Sequence, residues 1–259
     1  MHVISVTNQK GGVGKTTTAV NVATAMAAIG QKVLLIDMDS QGNASTGLGL
    51  KAAANAITTY DVLSRSVDIH EAVLPTHIPG LSVLSASADL AAFEHDALGL
   101  DRKHFILRDA IEKSCHGFDT VIIDCPPALG MLTINALVAS HSVIVPLQCE
   151  YYALEGLAQL IETIGRIREN LNPFLDLMGI ALTMYDSRNG LSDMVVADVR
   201  KHFKSQVFQT IIPRNVKVCE APSYGQPVMI YDIKSPGSMA YMNLASEIIS
   251  KQGITNVAA

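Results

Sequence analysis

The stretch NQKGGVGKTTT, Asn8 to Thr18, sets three glycines, two lysines and three threonines between the apolar run Val3–Val6 and an Ala- and Val-rich segment. A glycine loop between a strand and a helix suits a phosphate. Gly11, Gly12 and Gly14, with Val13 among them, let backbone N–H groups turn inward without Cβ clashes. The helix N-terminus adds partial positive charge. Lys15 then neutralises the β- and γ-oxygens, the Thr16 hydroxyl ligates Mg2+, and Thr17 reaches the α-phosphate. The loop departs from the pattern G-x-x-x-x-G-K-[ST], which needs glycine at position 9. The chain has Gln9 there and carries an additional lysine, Lys10.

Carboxylates end two other apolar runs. LLIDMDSQGN puts Asp37 and Asp39 at the close of one, and VIIDCPP puts Asp124 at the close of another. A carboxylate so placed suits holding Mg2+ through water. A single strand-end Asp is as readily a turn or cap residue, but three around one phosphate loop form a constellation. Asp37 and Asp39 are two apart and share a face if the strand continues, so one serves the metal and the other positions a water.

Such a site needs a frame. Val3–Thr7, Lys32–Asp37, Leu81–Ser85, Thr120–Asp124, Ser142–Pro146, Leu175–Met184 and Gln209–Ile212 read as strands. Lys15–Ile29 reads as a helix stopped by Gly30, and Asp101–Ser114, Met131–Ala139, Tyr152–Asn170, Ser192–Phe203 and Ser238–Lys251 as further helices. Asn55–Val73 reads as a helix with connections. Continuous Val/Ile/Leu strands separated by helices predict an α/β fold: a doubly wound, mostly parallel sheet with helices on both faces. Ligands in such sheets sit beyond the carboxyl ends of the strands, where each candidate falls.

With 259 residues and 49% hydrophobic content, the chain is expected to form one domain over 1–259. No apolar run reaches bilayer length, and a short strand in place of a basic leader argues against a signal peptide. Cys115, Cys125, Cys149 and Cys219 form no C-x-x-C pair, which suits reduced thiols in the cytoplasm. A net charge of −5 excludes a protein positive all round, though not one with a local basic face. The absence of Trp and the 5% aromatic content argue against stacking on single strands.

The blocks KGGVGKTT, DMDSQGNAS, IDCPPALG, CEYYALEGL and IIPRNVKVCEAPSYGQPV occur in order along the chain. Together they resemble the deviant-Walker-A ATPases, specifically the ParA/Soj chromosome- and plasmid-partitioning proteins of the ParA/MinD superfamily. The likeness runs from the first strand to near the C-terminus. Ser40 departs from it, since the family usually has proline there; the residue only stiffens a turn. The resemblance implies a P-loop ATPase that binds ATP and Mg2+ and pairs as an ATP-sandwich homodimer. In it Lys10 reaches across to the partner subunit's phosphates and acts as a finger supplied in trans. Gly11 lies where the two loops approach. Asp39 positions the attacking water, Asp37 supports the metal shell and Asp124 is the metal-binding carboxylate. Pro213 and Asn215 pack on the adenine. Hydrolysis is slow until a ParB-like centromere-binding partner stimulates it.

The output is expected on duplex DNA. Between Arg188 and Lys217 stand Arg188, Arg200, Lys201, Lys204, Arg214 and Lys217 against only Asp193 and Asp198. A dimer doubles that balance on one face and favours sequence-independent phosphate contact. Lys201 and Lys204 read equally well as solvated helix residues. Arg188 and Lys217 match positions that bind nonspecific DNA in the resembling proteins, and Arg214 joins them as a candidate. The resemblance places such a protein in the cytoplasm, on the nucleoid. A MinD-like division regulator needs a basic, bulky-apolar C-terminal helix, whereas this chain ends SEIISKQGITNVAA, so no membrane partner is expected. A reductase sharing an iron–sulfur cluster needs two suitably placed cysteines, and only Cys125 has any context for it. The strand near residue 3 leaves no N-terminal helix-turn-helix domain expected. The alternatives are a nucleotide-gated positioning scaffold for another cargo, with hydrolysis as its reset, or a MinD-like division regulator.

Overall fold

The computed structural model describes residues 1–50, 56–150 and 153–253. Its centre is an eight-stranded sheet: β1 (His2–Val6), β2 (Val33–Asp37), β3 (Val73–Pro75), β4 (Leu81–Leu84), β5 (Thr120–Asp124), β6 (Ser142–Gln148), β7 (Asp176–Tyr185) and β8 (Val207–Pro213). The order is β3-β4-β2-β5-β1-β6-β7-β8, parallel throughout except for the antiparallel edge pair β3–β4. Every residue of β2 and β5 is buried, as unbroken apolar strands require when helices cover both faces.

Alternation assigns neighbouring residues to opposite layers. Ile4, Leu35 and Ile122 pack with the helices Lys15–Ala28 and Pro236–Lys251. Val3, Ile36 and Ile123 pack beneath Ile106–Ser114 and Met131–Ala139. Val145 and Leu182 meet the helices Ala153–Asn170 and Gly190–Phe203. The parallel register brings the carboxyl ends of three central strands into one row, with Val6 opposite Asp124 and Asp37 opposite Asp124.

The other expected strands and helices agree to within about two residues, and the departures have local causes. Residues 56–73 hold two short helices, Thr59–Leu63 and Ile69–Ala72, each started by its own capping box; Asn55, the expected start, lies outside the described residues. The helix expected from Asp101 starts at Ile106, because Arg102 takes a left-handed φ of 55°. Tyr152 also lies outside the described residues. The edge strand β3 and the short helices Val216–Glu220 and Val228–Tyr231 carry too few residues for a periodic signal. All four cysteines are free, three of them buried. Among the described residues no helix is long and apolar enough to cross a membrane.

Candidate functional site

The loop after β1 turns into its helix through Gly12 at φ 76° and Gly14 at φ 88°, the latter at the helix N-cap. These two positions need glycine for their backbone. Gly11 does not: its φ is not positive, and a Cβ there meets nothing within 4 Å among the described residues. The loop is tied down on both sides. Asn8 Nδ2 donates to Pro146 O at 2.7 Å while its Oδ1 accepts from Lys10 N at 3.1 Å, and Thr183 Oγ1 donates to Val13 O at 2.9 Å. The Val13 side chain is buried in the interior.

The two lysines diverge. Lys15 is 8% exposed, and its Nζ donates to Lys10 O at 3.0 Å. Burial holds its pKa below the ordinary lysine value, opposed by Asp124, Cys125 and Asp39. The Lys10 side chain runs the other way, to Glu150 Oε2 at 3.5 Å, with both groups partly exposed. A cavity of about 280 Å3 lies over the loop, lined by its glycines, Lys15 and Thr16 on one side and by Asp39, Pro127 and Met184 on the other. Lys10 does not line it.

The three carboxylates differ in what they touch. Asp124 is fully buried, and neither of its oxygens has a hydrogen-bond partner among the described residues. Burial and Asp37 push its pKa well above the usual carboxylate range; Thr16 and Lys15 nearby oppose the rise, although the Thr16 hydroxyl is not in hydrogen-bond geometry. Two unpaired oxygens on a buried carboxylate facing a phosphate loop fit a hydrated divalent cation, with Thr16 as the neighbouring ligand. Asp37, expected to support the metal shell, has both oxygens engaged by its own chain. Its Oδ2 accepts from Ser45 N and Ser45 Oγ, both at 3.1 Å, and its Oδ1 from Asp39 N at 3.2 Å. It therefore holds the Asp39 loop in place, and burial still pushes its pKa up to about 6 against those hydrogen bonds. Asp39 stands at the cavity edge, where its Oδ1 accepts from Gln41 N at 3.0 Å.

A second cavity of about 260 Å3 adjoins the first and is lined by Pro213, Asn215, Val218 and Met184 among others. Asn215 also caps the helix Val216–Glu220 by accepting from Lys217 N at 3.1 Å. The Asp39 loop and this segment meet where Gly49 (φ 74°) and Gly225 (φ 64°) cross so closely that neither has room for a Cβ.

Of the basic candidates, Arg188 and Arg214 both lie beside Asp186. Arg188 forms a two-pronged pair with it, at 2.9 and 2.7 Å, and Arg214 adds to the field that holds the Asp186 pKa far below the usual range. Lys217 pairs with Glu220 at 3.0 Å and lies over the Tyr231 ring. Arg200 instead donates to Gln209 O at 3.0 Å, a structural contact. Asn8, Ser45, Glu150, Thr183 and Met184 escaped the sequence reading. Thr183 and Met184 had one signal, their position at the carboxyl end of an apolar strand.

A family model described as an AAA domain matches residues 1–177. The chain is 52% identical over 254 residues to the chromosome partitioning protein ParA of Caulobacter vibrioides (strain NA1000 / CB15N), covering 97% of this chain and 95% of that protein. The chain belongs to the ParA/Soj family of chromosome-partitioning proteins. It is also 46% identical to the sporulation initiation inhibitor protein Soj of Bacillus subtilis (strain 168), covering 95% of this chain and 97% of that one. Among solved structures, cobyrinic acid a,c-diamide synthase of Mycobacterium smegmatis, with a bound ATP analog and magnesium, superposes with a TM-score of 0.87. It is 37% identical, with 98% of this chain and 96% of that chain covered. The blocks KGGVGKTT, DMDSQGNAS, IDCPPALG and IIPRNVKVCEAPSYGQPV each contribute residues to the lining of the two cavities.

Proposed function

We propose that this chain is a Mg2+-dependent ATPase of DNA partitioning that works as an ATP-sandwich homodimer. The observation that carries the dimer is the divergence of the two lysines: Lys15 enters the chain's own cavity and Lys10 leaves it. An ammonium outside its own phosphate cavity, beside a glycine whose missing side chain clears no group among the described residues, is suited to serving a second copy.

Thr16 and Asp124 would hold a magnesium ion, which when bound would neutralise charge on the phosphates. The loop N–H groups and Lys15 cradle the phosphates, Pro213 and Asn215 take the base, and Asp37 fixes the loop from which Asp39 orients the attacking water. The ATPase reading itself is supported by the name of one relative, the chromosome-partitioning ATPase Soj of Treponema pallidum (strain Nichols), 44% identical over 246 residues. Magnesium requires a deprotonated Asp124, whose folded pKa is raised. Its apparent affinity therefore falls as pH is lowered, and more steeply below about 6, where Asp37 also takes a proton. The Mg2+-induced melting shift with a bound ATP analogue, measured from pH 8 to pH 5.5, reads this. A flat profile sinks the assignment of Asp124.

The ATP dimer binds duplex DNA nonspecifically through Arg188, Arg214 and Lys217, associates with the nucleoid, and is reset when a ParB-like partner speeds hydrolysis. Binding to random-sequence duplex should need ATP and weaken steeply with salt. Lys217→Ala should lower affinity evenly across sequences and reduce the salt slope by about one per subunit. Asp186→Asn, which removes the acid beside Arg188 and Arg214, should raise affinity roughly two- to threefold. Titration of labelled duplex at several salt concentrations checks all three. Binding indifferent to ATP would overturn the DNA output.

A further inference from the structure

Four non-glycine residues among those described have positive φ. Arg65, Arg102 and Lys204 lie outside the strands, whereas Met184, at φ 54°, lies within β7. It sits where β7 and β8 lose register. From the pair Leu182–Ile211 to the pair Tyr185–Pro213, β7 advances three residues and β8 two. The additional residue forms a bulge, and the bulge turns Met184 into the left-handed region, which is unfavourable for any side chain. Both flanks are pinned. Thr183 Oγ1 donates to Val13 O at 2.9 Å on the phosphate side, and Tyr185 O accepts from Arg214 N at 2.8 Å on the base side. Relaxing Met184 would therefore loosen one end of the site or the other.

That strained backbone aims the side chain at one place. The phosphate and base cavities share Gly14, Thr17 and Met184. The Met184 Cε lies 3.8 Å from where a Cβ on Gly14 would stand. In a nucleoside triphosphate the only group between base and phosphates is the sugar, so the sugar must cross this shared boundary. Of the three residues, Gly14 offers bare backbone, Thr17 a hydroxyl, and Met184 the one large apolar side chain.

We infer that Met184 is the contact residue for the nucleotide sugar, presented by the β7 bulge, and that its unfavourable backbone is retained for that contact. An unbranched, polarisable thioether suits the ring carbons of a ribose. Bulges beside sites commonly re-aim a side chain in this way, and strain of this kind clusters where ligands bind. The inference rests on the nucleotide reading above and adds a specificity residue to it.

The test compares Met184→Ala, Met184→Gly and Met184→Leu with the parent protein. Calorimetric titrations use the ATP analogue and, separately, inorganic tripolyphosphate, which has no sugar. The Ala and Gly variants should bind the ATP analogue about tenfold more weakly and tripolyphosphate as well as the parent does. Met184→Leu should retain most of the affinity. Without ligand, Met184→Gly should melt at the parent temperature or roughly 2–4 °C above it, because it relieves the positive φ. A residue that only supports the fold predicts the reverse: a lower melting temperature and equal losses for both ligands. Either that outcome or unchanged ATP-analogue affinity in Met184→Ala overturns the inference while the nucleotide reading stands. A parent protein that binds neither ligand overturns both.

Discussion

Asp124→Asn is expected to cut ATP turnover by roughly 10^2–10^3-fold while leaving the ligand-free protein as stable as before, or more so. The rate loss follows from removing a charged group that stabilises the transferring phosphates through the metal. The stability gain follows from the setting of the carboxylate. Asp124 is fully buried, both oxygens lack a hydrogen-bond partner among the described residues, and its pKa is held well above normal by burial and by Asp37 across the strand pair. The folded protein thus binds a proton at this position more readily than the unfolded chain does. Stability from this group is highest at low pH and is lost as pH rises through its raised folded pKa. At neutral pH keeping this buried carboxyl in the fold carries a cost that the unfolded chain escapes, and a neutral isostere lifts it by an amount worth about 2–4 °C in melting temperature. Phosphate release and a melting curve at pH 7.5 test the pair. An asparagine variant that keeps more than a tenth of the activity, or melts far below the parent, would contradict this account.

Lys10→Ala is expected to abolish ATP-driven dimerisation and lower turnover by about 10^3-fold, on the scale of a finger supplied in trans. Its nucleotide affinity as a monomer should stay within about threefold of the parent, because Lys10 does not line its own phosphate cavity. Lys15→Ala should instead lose nucleotide binding outright, since Lys15 stands inside that cavity. Folding should be little changed, because the pair with Glu150 is half-exposed and such pairs contribute little. Asp39→Ala separates the two steps: it keeps the ATP dimer and stops the chemistry. Size-exclusion chromatography with and without ATP, run beside nucleotide titrations, distinguishes these outcomes. A Lys10→Ala protein that dimerises normally with ATP ends the trans reading.

Much of the fold was legible because its signals are local. VLLID is apolar at every position but the last and TVIID at its three central positions, and both are buried throughout, which only a sheet covered on both faces accommodates. The glycines of the loop announce its turn, and the strand-end aspartates fall where parallel sheets place ligands. The short helices at Thr59–Leu63 and Ile69–Ala72 were blurred into one expected segment, since four or five residues cannot establish a period of 3.6. The short helices between Val216 and Tyr231 carried no readable period for the same reason.

By themselves, the residues of this chain determined the chemistry offered: a phosphate loop with two lysines, three carboxylates at strand ends, and an alternating α/β order that brings them to one edge. Tertiary structure alone decided how those groups divide the work. Asp37 and Asp124 are equivalent as strand-end aspartates, yet the Ser45 turn satisfies one and leaves the other bare. Lys10 and Lys15 are both lysines of one glycine loop, yet one enters the cavity and one leaves it. Met184 carries no motif at all, and only the mismatch between β7 and β8 turns it toward both cavities. The physical reason is the same in each case. Residue type and spacing set what a group can do, but its burial, partners and direction come from segments far away in the chain.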